Sequence, residues 1–352
     1  MKEIITPAIV LDLELLKKNI KLMADFGKKN RVGIRPHFKT HKCVEIARLQ
    51  LKAGAAGITA QTIDEAEALV NGGIKNVLLA NQLIEHSKIE RILRLSDKSA
   101  GVILCVDSEQ NLRQLDKLSG ESGIRLKLLV EVDIGMNRAG RRPGDDTLHF
   151  VKKVISCKNI EFKGLQGYEG HAVLIPGREE RIKAASSAIE LLVGTKKLLL
   201  ENNIKCEIVT GGGTGTYDLT GRNSQITDIQ PGSYVFMDAK YGPIIKEFIP
   251  ALCVQATIFA SRGKGEYTAD AGRKALTTEN GMPLLLDLAG SIENLNEEHT
   301  RLKLTQGSLL PGDRIRILPS HCCTTVNLYD NVYVSDAGQV IEIWKIHRQR
   351  AV

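Results

Sequence analysis

Residues 101–133 read GVILCVDSEQNLRQLDKLSGESGIRLKLLVEVD. Two apolar runs, GVILCVD (101–107) and LKLLVEVD (126–133), enclose a polar gap with helical spacing. A short apolar run, a helix-length gap and a second apolar run describe parallel strands joined by a crossover helix. The same texture extends in both directions. Upstream lie VGIR (32–35), AGITA (56–60) and NVLLAN (76–81); downstream lie FKGLQGY (162–168), CEIVTGG (206–212) and ITDIQPGSY (226–234). Leu13, Leu16, Ile20 and Met23 recur at helical spacing, as do Ala66, Leu69 and Val70, and Ala188, Leu191, Leu192 and Leu198. Glycine punctuates most joints. About eight such units between residues 12 and 237 suit a closed (β/α)8 TIM barrel. An open doubly wound sheet is the competitor, and the count of eight decides for the barrel.

From residue 238 to 352 the texture changes. ALCVQATIFASR, LLLDLAG, DRIRILP, TTVNLYDNVYVSD and VIEIWKI alternate and are rich in branched residues, with short turns at PGD (311–313), DAG (336–338) and NGMP (280–283). This predicts a mostly antiparallel β domain. The opening strand TPAIVLDL suits either domain; residues 1–11 are assigned to the β domain and 12–237 to the barrel.

Composition narrows the function. The 352 residues are 43% hydrophobic and 25% charged, an ordinary globular balance. No apolar run reaches the roughly 18 residues of a membrane helix. MKEIITPAIV has no signal-peptide core, so a cytoplasmic protein and no membrane partner are expected. The net charge of +7 suits an anionic ligand, but the basic residues are scattered and aromatics reach only 4%. Without a stacking platform, no nucleic-acid partner is expected. Seven cysteines, an odd number and mostly isolated in apolar runs, read as reduced thiols.

Five segments carry chemistry. RPHFKTHK (35–42) follows the first barrel strand, where barrel enzymes place catalytic groups. Read as extended chain, His37, Lys39 and His41 share one face. Clustered cations depress each other's proton affinity, and a lysine so placed can condense with an aldehyde; a solvated basic strand end is the plain alternative. VTGGGTGTYD (209–218) is a glycine-rich turn able to close around a phosphate, or simply a tight turn. VEVDIGMNRAG (130–140) offers Arg138 to an oxyanion, and GYEGH (167–171) puts Tyr168 and His171 at another strand end. In PSHCCTTVNL (319–328), His321 and Cys323 stand two apart in a strand-like stretch and point the same way, an imidazole–thiolate pair suited to zinc. His299 is a weaker ligand candidate, more often a surface residue.

Together, and in this order, these segments resemble the D-threonine aldolase and D-serine dehydratase family of pyridoxal-phosphate enzymes, whose barrel is similar to that of alanine racemase. RPHFKTHK looks like the cofactor-lysine motif, which implies pyridoxal 5'-phosphate held as a Schiff base on Lys39, with His37 and His41 as accompanying catalytic candidates. The resemblance implies contacts to the cofactor from Arg138, Tyr168, Gly212, Gly213, Thr214 and Gly215, and from Tyr234 in PGSYVFMD (231–238). It implies a divalent metal at His321 and Cys323, zinc favoured, manganese or magnesium open. Its substrates are D-3-hydroxy amino acids. Aldolase members tend to carry aspartate where this chain has Cys323 and dehydratase members cysteine, which tilts the expectation toward dehydration. A homodimer is expected, the β domain of one subunit capping the other's barrel. A metal-independent D-amino-acid racemase and a cofactor-carrier protein are the alternatives; the carriers stop at the barrel.

Overall fold

The computed structural model describes residues 4–98 and 101–348. The first three residues assigned to the N-terminal strand and the last four assigned to the β domain lie outside the described residues. The chain divides into two compact units. One comprises residues 23–39 and 46–232. The other comprises residues up to 22, the short segment 40–45, and residues from 233 onward.

The first unit is an eight-stranded, all-parallel sheet: β1 Gly33–Ile34, β2 Ile58–Ala60, β3 Val77–Leu79, β4 Ile103–Val106, β5 Leu126–Glu131, β6 Ile160–Gln166, β7 Ile208–Gly211 and β8 Asp228–Ile229. Seven of the eight apolar runs read from the sequence contain one of these strands whole, and the eighth, FKGLQGY, overlaps β6, which starts two residues earlier at Ile160. Every residue of β3 and β4 is buried, as parallel strands covered on both faces require. β1 pairs with β8, and the ring closes where Ala56 N donates to Ile34 O at 2.8 Å, Thr59 N donates to Pro36 O at 2.9 Å, and His37 bridges Thr59 in parallel. Leu78, Ala80, Ile103, Cys105 and Leu129, alternate residues of neighbouring strands, form one buried cluster.

The connections obey turn chemistry. Thr62 caps helix Ile63–Asn71 by accepting from Glu65 N, and Ser108 caps helix Glu109–Ser122 by accepting from Asn111 N. The second of these helices ends on Gly123 at φ 69°, a left-handed residue that glycine adopts without cost.

Among the described residues the second unit is a nine-stranded sheet. Leu252–Gly263 pairs antiparallel with Ala8–Asp12, Glu266–Ala269 and Arg314–Leu318. Ala8–Asp12 also runs parallel to Asn331–Asp336, the one parallel pairing among its described strands. The opening strand thus lies in this sheet. Strands Gly290–Leu295 and Thr300–Leu304 were not singled out from the sequence; exposed polar residues break the alternation of the first, whereas the second alternates buried and exposed residues but is only five residues long. One expectation is corrected: Cys322–Val326, read as strand, is a short helix.

Candidate active site

On the barrel side the site is built from loops at the C-terminal ends of strands. After β1, His37 N donates to Pro231 O at 3.1 Å, and Phe38–Thr40 then curls into a 3-10 turn. The extended reading of this stretch is therefore corrected. The bridge to Thr59 ends at His37, and the turn breaks the period of two that put His37, Lys39 and His41 on one face. The turn buries Phe38 and leaves Lys39 with its Nζ 6.0 Å from the centre of the Tyr168 ring. Tyr168 in turn lies on the glycine turn: a Cβ at Gly213 would sit 3.2 Å from its ring. Lys39, Tyr168 and Gly213 thus form one contiguous line.

The glycine turn is held from below by a residue the sequence did not single out. Glu169, 0% exposed, accepts from Gly212 N at 3.1 Å, from the Thr216 hydroxyl at 2.8 Å, and from the Thr220 hydroxyl. Gly213 N donates to Thr216 Oγ1 at 3.2 Å. The amides of Gly212 and Gly213 are therefore bonded within the protein and shape the turn. Gly212 supplies a positive φ of 76°, and Gly215 allows close approach, since a Cβ there would lie 1.8 Å from Val173 O. Thr214 is buried.

The loop carrying Arg138 is folded by Asp133, whose Oδ1 accepts from Gly135 N and Asn137 N, both at 3.0 Å. Gly140 N donates to Asp107. Arg138 itself is exposed. The His171 ring rests on Gly135, where a Cβ would come within 2.7 Å. Nearby, burial pushes the Glu131 carboxyl above its ordinary range, against a 2.5 Å hydrogen bond from Gln82 Nε2 and the charge of Arg138.

In the β unit, His321, Cys322 and Cys323 bring their donor atoms within 4.8 Å of one another. The strand geometry predicted for them is absent; His321 is extended and the following helical turn brings the thiols back toward it. His321 Nδ1 lies 2.9 Å from Oδ2 of Asp238, which is 0% exposed. Burial disfavours the imidazolium, but the Cys323 thiolate and Asp238 outweigh it and push His321 up to about 11. Cys323 is held well below the usual thiol range, first by the Cys322 thiol donating to it and then, against burial, by His321. Cys322, fully buried, is pushed well above that range by desolvation and then by its thiolate neighbour. Thr40 Oγ1 lies 3.3 Å and Ser233 Oγ 3.7 Å from Cys323 Sγ. Imidazole and thiolate, desolvated and hydrogen-bonded, form a donor set fit for a borderline-soft cation.

The remaining candidates fall as follows. His41 is buried edge-on to Phe236, and its Nδ1 accepts from Cys43 N at 3.2 Å. Tyr234, 1% exposed, packs edge-on against Phe248. His299 is exposed beside Phe259. Asp238 and Glu169 were missed. Their only signal was position, Asp238 closing PGSYVFMD and Glu169 lying between the two glycines of GYEGH.

The profile of the alanine racemase N-terminal domain matches residues 11–240, and that of a serine dehydratase domain matches 251–335. The chain is 34% identical over 350 residues to a D-threonine aldolase of Arthrobacter sp., covering 97% of this chain and 92% of the relative. The solved D-threonine aldolase of Filomicrobium marinum superposes with a TM-score of 0.94 at 34% identity, covering 98% of this chain and 95% of that one. A D-threo-3-hydroxyaspartate dehydratase, solved as a cysteine-to-alanine variant described as the metal-free form, gives 0.90 at 25% identity over 99% of this chain and 98% of its own. Barrel, β domain and whole-length similarity agree: the chain belongs to the family of pyridoxal-phosphate lyases that includes the D-threonine aldolases and D-serine dehydratases.

Proposed function

We propose that the protein is a pyridoxal-phosphate- and divalent-metal-dependent lyase of D-3-hydroxy amino acids, with dehydration as the first reading. The observation that carries it is the amine of Lys39 over the Tyr168 ring, itself packed on the glycine turn. Lys39 would hold the cofactor, the turn at Thr214 and Gly215 its phosphate, and Arg138 and Tyr168 the ring; His37, His41 and Tyr234 stand at the ends of this assignment. When bound, pyridoxal phosphate supplies an electron sink for bonds breaking at Cα. The Lys39 amine is the base that takes the α-proton of the substrate. His321 and Cys323 would hold the metal, whose chemistry is Lewis acidity toward a hydroxyl. A thiolate ligand favours zinc over manganese or magnesium.

With the α-proton on Lys39 and the β-hydroxyl leaving, the products are a keto acid and ammonia after hydrolysis. Cys323 supports this outcome, since the resemblance ties a cysteine at this place to the dehydratase members. Retro-aldol cleavage to glycine and an aldehyde is the second reading, favoured by the higher identity to the aldolase. Incubation with D-serine, D-threonine and D-3-hydroxyaspartate, followed by assay of keto acid against glycine, decides between them. Neither product from any of the three refutes the lyase reading. Activity that survives a chelator would instead point to a racemase.

The same reading makes the protein a cytoplasmic homodimer. None of the seven cysteines is in a disulfide, and among the described residues no helix is long and apolar enough to cross a membrane. Sedimentation at working concentration should give twice the chain mass; a monomer counts against the dimer.

A further inference from the structure

We infer that Asp238 is the positioning residue that turns Nε2 of His321 toward the metal, an assignment that rests on the metal reading proposed above. Both oxygens of this buried carboxylate are saturated. Oδ1 accepts from Lys240 N at 3.1 Å and from Tyr241 N at 2.8 Å. Oδ2 accepts from Cys322 N at 3.0 Å and faces His321 Nδ1 at 2.9 Å. Three of the four partners are backbone N–H groups, which only donate. They fix the carboxylate in rotation and leave it one role toward the imidazole, that of acceptor. Nδ1 must then keep its proton, and Nε2 is the nitrogen whose proton a cation displaces and whose lone pair it takes. Metal-bound histidines are generally oriented by such a partner. The same Oδ2 also pins the amide that begins the turn bearing Cys323, so one group sets the geometry of both ligands.

Asp238→Asn tests this with almost no change of shape. If the new NH2 replaces Oδ1, it meets two backbone N–H donors. If it replaces Oδ2, it meets one, and His321 relieves the other conflict by moving its proton to Nε2. The second arrangement costs less and blocks the ligand atom. Zinc affinity, measured by competition with a chromophoric chelator, should fall about 10–100-fold, while the visible absorbance of the bound cofactor persists. Nitrogen-15 shifts of His321 in zinc-loaded wild type should show Nε2 on the metal and Nδ1 protonated, a measurement that stands even if the variant folds poorly. A wild-type protein that takes up no zinc refutes the metal reading and this assignment with it. A wild type that binds zinc, with the variant binding it equally tightly or with Nδ1 as the ligated nitrogen, refutes the assignment alone.

Discussion

Glu169→Ala should open the glycine turn. The carboxylate receives three donors: the Gly212 amide, the Thr216 hydroxyl and the Thr220 hydroxyl. All lie in the buried interior of the barrel unit, out of reach of bulk water. Leaving a buried donor unsatisfied costs about 1–3 kcal/mol. The amide cannot turn away and is counted near the upper end; the hydroxyls rotate and are counted near the lower end, so the sum is about 3–5 kcal/mol. Glu169→Gln keeps an oxygen for Gly212 N–H and lets the two hydroxyls reverse toward the new NH2, so its cost should be about 1–2 kcal/mol. Urea unfolding of the two variants measures both values, and titration with pyridoxal phosphate, followed by visible absorbance, reports the turn itself. Weaker cofactor binding should accompany the alanine variant. An alanine variant that loses less than its glutamine counterpart, with cofactor affinity unchanged, would refute the view that this carboxylate holds the turn.

Lys39→Ala should abolish the visible absorbance of the bound cofactor; retained absorbance places the cofactor on another lysine. Cys323→Ala should lose the metal, by elemental analysis, and most lyase activity, while keeping that absorbance. Glu131→Gln probes pH. Burial raises the folded-state pKa of this carboxyl above its unfolded value, so its favourable contribution is complete below the unfolded pKa, about 4.3, and is lost as pH rises through the folded one. The glutamine variant should therefore be the more stable at neutral pH, with the difference vanishing in acid, as read by urea midpoints across pH; a variant less stable at neutral pH contradicts the sign.

The central barrel strands were legible because parallel strands buried on both faces read as unbroken apolar runs, while FKGLQGY and ITDIQPGSY were placed by their spacing within the alternation. Val77–Leu79 and Ile103–Val106 announce themselves without any tertiary information. The lysine turn was less so. Its residues were noticed for their chemistry, yet Phe38–Thr40 winds into a 3-10 turn that buries Phe38, a preference no local periodicity expresses. The turn after His321 was misread for a related reason: CCTTV is rich in residues that favour strands, and only its surroundings make it helical.

The amino-acid sequence by itself determined the alternation of strand and helix, the change to an antiparallel domain, and the residues that could react: an amine, a glycine turn, an imidazole and a thiol. Tertiary structure decided which of two adjacent cysteines has its proton affinity lowered. Cys322 and Cys323 are identical as letters and burial raises both, but Cys323 alone faces His321 and Thr40, which together with the Cys322 thiol hold it below the usual thiol range while Cys322 is pushed above it. It also decided the partners of Asp238 and Glu169. Asp238 meets His321 across 83 residues of chain and Glu169 meets Gly212 across 43. A hydrogen bond depends on distance in space, and separation along the chain says nothing about that distance until the packing of the core has set it.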